Sequence, residues 1–204
     1  LTQPGTLVRL AAADQDAMEA LAELADLISA VPDVPAGPSA GAATPDDPAP
    51  LDGETVGRTV ALALPDGAIV SVEGGTVGYP FYTASAFGPA HTVLTNTGGA
   101  IGQGLPCALG AALAAPDRPV IAIQSDGSGL YTPQALWTMA REGLDVVVLI
   151  AANHTYNVLR TELARHGNSA FGPRADALTS LADPRIDWVA LATGFGVPAR
   201  RATH

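Results

Sequence analysis

The sequence predicts an α/β fold, with a mainly parallel sheet and helices on both of its faces. Three short apolar runs, at residues 68–72, 120–123 and 146–151, are rich in β-branched residues and are typical of buried strands. Helical patterns separate these runs, and a polar segment follows each of them. Strand, helix and strand in this order form a βαβ unit, whose strands run parallel and whose crossover is right-handed.

The remaining elements follow from local signals along the chain. Residues 7–10 are predicted to form a short strand, and residues 14–30 show the apolar spacing of an amphipathic helix. Residues 32–52 are rich in Pro, Ala, Gly and Asp without apolar periodicity, which predicts a linker. Further helices are expected at 53–64 (capped by Asp52), 105–115, 133–142 and 186–195, and further strands at 91–95 and from Val197 onward.

The composition excludes several function classes. The net charge is -10, which argues against a nucleic-acid surface. All ten basic residues are arginine, so there is no lysine for a P-loop or for the Schiff base of pyridoxal phosphate enzymes. The single cysteine, Cys107, excludes an intrachain disulfide and favours a reducing, cytoplasmic location. No apolar run is long enough to span a membrane.

Two polar segments at neighbouring strand ends predict a ligand site. Asp126-Gly127-Ser128 follows one buried run and Asn153-His154-Thr155 follows the next. In open parallel sheets, ligands bind outside the carboxyl ends of the strands. A carboxylate, an amide and backbone carbonyls are hard oxygen donors that suit Mg²⁺ or Ca²⁺, and small residues leave backbone N–H groups free for phosphate. The prediction is a metal-bridged phosphate or diphosphate site, with His154 as a solvated neighbour.

These motifs resemble a known family. Asp126-Gly127-Ser128 with Asn153 downstream is similar to the thiamine diphosphate signature, usually written as Gly-Asp-Gly-Ser followed by Asn-Asn. Residues 134–138 and 153–160 resemble the acetolactate synthase and benzoylformate decarboxylase superfamily. Residues 99–106 resemble the cofactor-supporting segment of acetolactate synthases.

The resemblance implies residue roles. Mg²⁺ would be held by Asp126, Asn153 and the backbone carbonyl of Thr155. Ile101 would support the V-shaped cofactor, and the Gly99 carbonyl would meet its aminopyrimidine ring. The full set of expected thiamine diphosphate contacts is Gly75, Thr76, Gly99, Ile101, Gly127, Ser128 and Tyr156. At residues 73–76 two interpretations stay open: Glu73 contacts the phosphate region, or the loop is a plain turn before a helix.

The resemblance also implies a domain organisation and an activity. Residues 53–204 would be the C-terminal thiamine diphosphate-binding domain, cut short at its end, of a larger chain, and residues 1–31 the tail of a middle domain. The whole enzyme would be an acetolactate synthase-like lyase or transferase that acts on 2-keto acids by decarboxylation, carboligation or both. Its activating glutamate is expected on a pyrimidine-binding domain of the same or a neighbouring subunit, in a homodimer or tetramer. No catalytic residue is therefore assigned here, and the fragment alone should be inactive.

Three alternatives stay open. Ser125 and Ala152 replace the usual first residues of the two signature motifs, which would also suit a non-catalytic thiamine diphosphate-binding paralogue. Gly99, Gly102 and Gly104 suggest a dinucleotide-dependent oxidoreductase, but their order is G-x-x-G-x-G and Asn153 would have no role. A hydrolase with a Ser128 nucleophile would require glycine where Asp126 stands.

Overall fold

The computed structural model describes residues 6–11, 51–167 and 172–203. The predicted helix at 14–30 and almost all of the predicted linker lie outside these ranges. Within them, the strands are β1 (Thr6–Ala11), β2 (Ile69–Val72), β3 (Thr92–Thr95), β4 (Val120–Ser125), β5 (Val146–Ala152) and β6 (Ala199–Ala202).

The strands form one sheet in the order β3-β2-β4-β5-β1-β6. The strands β3, β2, β4 and β5 run parallel to one another. β1 pairs antiparallel with both β5 and β6. Val120 lies opposite Val146, and Ser125 lies opposite Ala151, in parallel register. The predicted βαβ unit and the mainly parallel α/β fold are confirmed.

Eight α-helices occur in the described residues, and half of them match a helix that the sequence predicts. The bounds are α1 (Gly53–Leu62), α2 (Gly75–Ser85), α3 (Gly104–Ala114), α4 (Asp126–Gly129, one turn), α5 (Ala135–Arg141), α6 (Asn157–Arg165), α7 (Pro173–Thr179) and α8 (Trp188–Gly194). α1, α3, α5 and α8 match, and Asp52 caps α1 by accepting the Thr55 N–H at 2.7 Å. α6 and α7 were not predicted, and the expected turn at 125–129 contains a helical turn instead. No helix in the described ranges is both long and apolar enough to cross a membrane.

Alternating side chains on the buried strands divide the core between the two faces of the sheet. On β4, Val120 and Ala122 pack with residues of α3, α5 and α8. Ile121 and Ile123 point the other way and pack with residues of α1 and α2. This alternation follows from the two-residue period of a strand. Because both sides of this β-branched run are buried, helices pack on both faces of the sheet.

The parallel register brings four strand ends to the same edge of the sheet. Val72 pairs with Thr95 on one side and with Ile123 on the other, and Ser125 pairs with Ala151. The segments that follow β2, β3, β4 and β5 consequently lie side by side. All the candidate site residues stand in or next to these segments.

Candidate metal and cofactor site

Asp126 is fixed in a buried position directly after β4. Its side chain is 1% exposed. Its Oδ1 accepts the Gly127 N–H at 3.0 Å, and its Oδ2 accepts the His154 N–H at 2.7 Å. The second bond joins the end of β4 to the loop after β5. The two predicted motifs, which are 27 residues apart from Asp126 to Asn153, are thus held together through this carboxylate.

The Asp126 turn is held by its own serine residues. Ser128 Oγ donates to Gln124 Oε1 at 2.7 Å and accepts the Ser125 N–H at 3.3 Å. Ser125 and Ser128 bond reciprocally in the pattern of a capping box. Ser125, which departs from the usual glycine of the signature, therefore stabilises the turn.

The loop after β5 has a compact hydrogen-bonded form. Asn153 Oδ1 accepts the Thr155 N–H at 3.0 Å, and the Thr155 carbonyl accepts the Asn157 N–H at 2.9 Å. A carbonyl oxygen has two lone pairs, so the Thr155 carbonyl keeps one for another partner. His154 has a φ of 56°, in the left-handed region. This conformation turns the loop so that its backbone N–H reaches Asp126.

Burial raises the pKa of the Asp126 carboxyl above its ordinary value, while the hydrogen bonds from His154 and Gly127 act to lower it.

The His154 Nδ1 atom lies 3.9 Å from Asp126 Oδ2, beyond hydrogen-bonding distance, and it has no hydrogen-bond partner among the described residues. The prediction that His154 is solvated was wrong for this ring atom, because the loop folds it against the carboxylate.

Gly127 is required by the close approach of Tyr156. A Cβ atom at position 127 would lie 2.6 Å from Tyr156 Cε1, closer than van der Waals contact allows. Tyr156 itself is anchored by its backbone N–H, which donates to the Thr179 carbonyl at 2.9 Å. The structure thus places Tyr156 over the Asp126 turn, and brings together two of the predicted cofactor-binding residues.

The segment after β3 presents Ile101 at the same edge. Gly98, Gly99 and Gly102 all have positive φ values, of 65°, 71° and 101°, which fold this segment into a tight loop. Ile101 is 48% exposed on this loop. An ordinary core isoleucine would be buried, so its exposure fits a residue that supports a ligand.

Glu73 does not extend freely from the loop after β2. It is buried, and its carboxylate accepts the N–H groups of Gly102 and Gly104 and the Gln124 amide. The turn at residues 73–76 leads into a helix, because α2 begins at Gly75, whereas a contact of this loop with the phosphate region stays a prediction. Gly75 and Thr76 are exposed in its first turn.

Gln124 is the site residue that the sequence analysis missed. It is 1% exposed and bonds to both Glu73 and Ser128. The signal was present, because a glutamine interrupts the apolar character of β4 one residue before the polar turn. A buried amide in a strand requires partners on both of its ends.

The comparison with protein families decides the identity of this domain. Residues 75–204 match the family described as thiamine pyrophosphate enzyme, C-terminal TPP binding domain. The chain belongs to this family. Thiamine pyrophosphate is another name for thiamine diphosphate, so the family predicted from the Asp126 and Asn153 motifs is confirmed, and so is the cofactor class.

Named relatives of this TPP-binding domain come from two branches. It is 49% identical over 168 residues to a Mycobacterium tuberculosis protein named "Putative acetolactate synthase large subunit IlvX", covering 81% of this chain and 33% of that protein. It is 33% identical over 160 residues to the benzoylformate decarboxylase of Pseudomonas aeruginosa, covering 78% and 29% respectively. The chain therefore spans about a third of the length of these relatives.

A solved structure shows the same fold. The TPP-binding domain superimposes on the Rhodococcus jostii RHA1 thiamine diphosphate-dependent 4-hydroxybenzoylformate decarboxylase with a TM-score of 0.63 and 32% sequence identity. The match covers 80% of this chain and 29% of that one.

The donor chemistry of the site fits a metal-bridged diphosphate. In the described part of the chain, no group of three or more His, Cys, Asp or Glu residues is placed to hold a metal. The donors predicted from the sequence are instead one carboxylate (Asp126), one side-chain amide (Asn153) and one backbone carbonyl (Thr155), on two loops that the bond from the His154 N–H to Asp126 joins. Such a set suits Mg²⁺, which keeps part of its coordination shell for water and phosphate. Because residue 127 is glycine, no side chain at this position obstructs a phosphate group beside Tyr156.

Proposed function

We propose that this TPP-binding domain serves an acetolactate synthase-like enzyme that decarboxylates 2-keto acids, joins them to a second carbonyl compound, or does both. The observation that carries the proposal is the contact between the Asp126 carboxylate and the loop after β5, at 2.7 Å. It joins the two loops that carry the proposed donors of both signature motifs. The names of the relatives support the substrate class.

In this proposal, Asp126, Asn153 and the Thr155 carbonyl hold Mg²⁺. Gly127, Ser128 and Tyr156 border the diphosphate, and Gly75 and Thr76 face it from the start of α2. Asp126 supplies the only charged ligand. Its burial strengthens its attraction to a cation, because the surrounding protein screens charge less than water does.

The thiamine end of the cofactor would lie on the segment after β3. When bound, the cofactor would supply the nucleophilic carbon and the electron sink that decarboxylation of a 2-keto acid requires. The half-exposed Ile101 side chain supports the ring system, and the Gly99 carbonyl accepts a hydrogen bond from the aminopyrimidine. Together these residues orient the cofactor and keep water from one of its faces.

The proposal places the activating glutamate outside this chain. It would come from a pyrimidine-binding domain of the same or a neighbouring subunit, in a homodimer or tetramer. Within the chain, residues 32–52 would be a linker and residues 53–204 would form the TPP-binding domain. Residues 1–31 would end a middle domain and also supply β1, which pairs with β5 and β6 in the sheet of the TPP-binding domain. The close packing of α1 on α2 supports a domain start near residue 53, because Gly57 leaves no room for a Cβ beside Val77 O and Phe81 N.

A non-catalytic thiamine diphosphate-binding protein is the second candidate. The observation that favours it is the replacement of two signature residues by Ser125 and Ala152. Neither replacement removes a proposed metal ligand, since Ser125 bonds within the turn and Ala152 is buried at the end of β5. Both candidates therefore share the cofactor site and differ only in turnover.

The metal site is tested by replacing Asp126 with Ala. Asp145→Ala is the matched control, because Asp145 is exposed just before β5, at the opposite edge of the sheet. In the intact protein, Asp126→Ala should weaken Mg²⁺-dependent binding of thiamine diphosphate by about 100-fold or more. Asp145→Ala should leave it unchanged. Equal affinities of the two variants by calorimetry would contradict the assignment.

Turnover separates the two candidate functions. The intact protein is given thiamine diphosphate, Mg²⁺ and a panel of 2-keto acids, and carbon dioxide and 2-hydroxy ketones are measured. Carbon dioxide release supports the enzyme, and ketone products would identify carboligation. Cofactor binding without turnover on any acid would favour the non-catalytic protein.

A further inference from the structure

A buried chain of hydrogen bonds links the two halves of the candidate cofactor site. The N–H groups of Gly102 and Gly104 donate to the two carboxylate oxygens of Glu73. The Gln124 amide nitrogen donates to Glu73 Oε2 at 2.9 Å, and its oxygen accepts the Ser128 hydroxyl at 2.7 Å. One unbroken path therefore runs from the segment after β3 to the Asp126 turn.

The path is tightly packed and shielded from water. Glu73 is 8% exposed and Gln124 is 1% exposed. A Cβ atom at Gly104 would collide with the Gln124 amide and with Glu73 Oε2. Buried hydrogen bonds are stronger than exposed ones, and losing one partner leaves the other unsatisfied at a cost. A substitution of any residue in the path should therefore also weaken the hydrogen bonds of its neighbours in the path.

We propose that Glu73, Gln124 and Ser128 are positioning residues that fix the Gly99–Gly104 segment relative to the Asp126 turn. This inference rests on the proposed cofactor site. Thiamine diphosphate is long enough to need both parts, since its ring system would lie on Ile101 and its diphosphate at Asp126. Holding the two parts in place beforehand lowers the ordering cost of binding.

The test compares a ligand that needs both parts with a ligand that needs one. Gln124→Leu removes both amide bonds, whereas Gln134→Leu is the matched control at an exposed position before α5. In the intact protein with Mg²⁺, Gln124→Leu should weaken thiamine diphosphate binding about tenfold. Inorganic diphosphate should lose no more than about twofold, because the Ser128 hydroxyl, without Gln124 Oε1 as acceptor, can donate to the Ser125 carbonyl 3.3 Å away.

The outcomes decide the proposal. A selective loss of thiamine diphosphate affinity supports it, and equal losses for both ligands or no loss would overturn it. If the unaltered protein binds neither ligand, the proposed function fails and the cofactor-free measurement described next still tests the positioning role.

That measurement is amide hydrogen exchange at Gly102 and Gly104. Glu73→Gln keeps the shape of the side chain but leaves one acceptor oxygen where the carboxylate has two. At least one of the two N–H groups therefore loses its acceptor, and its exchange should quicken about tenfold. Gln124→Leu should quicken it as well, and Gln134→Leu should not. Unchanged exchange in Glu73→Gln would overturn the proposal, and circular dichroism shows whether each variant is folded.

Discussion

At the scale of single residues, Asp126 combines a structural cost with a functional gain. Burying a carboxylate costs free energy, which the two backbone N–H groups at Asp126 offset only in part. The part of this cost that is not offset raises the pKa of the Asp126 carboxyl. A divalent cation at the proposed site would offset it, since an adjacent positive charge favours the ionised form.

This cost predicts a pH dependence. The folded pKa of Asp126 is raised, so the folded state holds a proton that the unfolded state releases between the two pKa values. The contribution of Asp126 to stability is therefore complete below about pH 4 and is lost as pH rises through the folded pKa. Mg²⁺ and thiamine diphosphate should stabilise the protein more as pH rises through the same window.

Chemical denaturation from about pH 4 to about pH 7 measures this effect. Without ligands, the free energy of unfolding of the natural protein minus that of Asp126→Asn should fall as pH rises. Taking the difference removes the titration of groups that the two proteins share. A difference that stays flat or rises with pH would show that burial does not raise the pKa of Asp126.

Single residues also show where sequence reasoning succeeded and where it stopped. That Asp126 and Asn153 follow neighbouring parallel strands could be predicted, because each comes after a recognisable β-branched run; their role as metal ligands stays a prediction. The partners of Glu73 could not, because Gly102 and Gly104 lie about thirty residues away and only the folded sheet brings them close. Gln124 looked like a strand residue, and nothing local shows which groups satisfy its amide.

At the scale of elements, the predictable parts are those with strong periodicity. The β-branched runs gave β2, β4 and β5 because these strands are buried on both faces. α6 was not predicted, and none of its residues is buried, so no core-facing stripe marks it. The antiparallel pairing of β1 with β5 joins segments about 140 residues apart, and no local pattern encodes such a pairing.

The contact between α1 and α2 gives a prediction at this scale. A Cβ at Gly57 would lie 2.6 Å from Val77 O and 2.8 Å from Phe81 N. Gly57→Ala should push the helices apart and lower the free energy of unfolding by about 1–3 kcal/mol. Gly110→Ala in α3 is the control, since a Cβ there meets nothing within 4 Å. Equal stability of the two variants in urea denaturation would contradict this view of the α1–α2 contact.

At the scale of the whole molecule, the fold collects every proposed cofactor contact at one edge of the sheet. Four parallel strand ends converge there, and the helices on both faces bury the rest of the sheet. The chain belongs to the TPP-binding domain family, and the relatives that it matches are about three times as long. This difference in length is consistent with an active site that other domains complete.

The last prediction follows from that division of the active site. Residues 1–204, produced alone, should release no carbon dioxide from any 2-keto acid, because the proposed activating glutamate belongs to another domain. The intact protein, assayed alongside with thiamine diphosphate and Mg²⁺, should release it. Intact Asp126→Ala serves as the second comparison and should lose activity through lost cofactor. Robust decarboxylation by residues 1–204 would mean that this domain carries its own activating group, and the proposed sharing of the active site would be wrong.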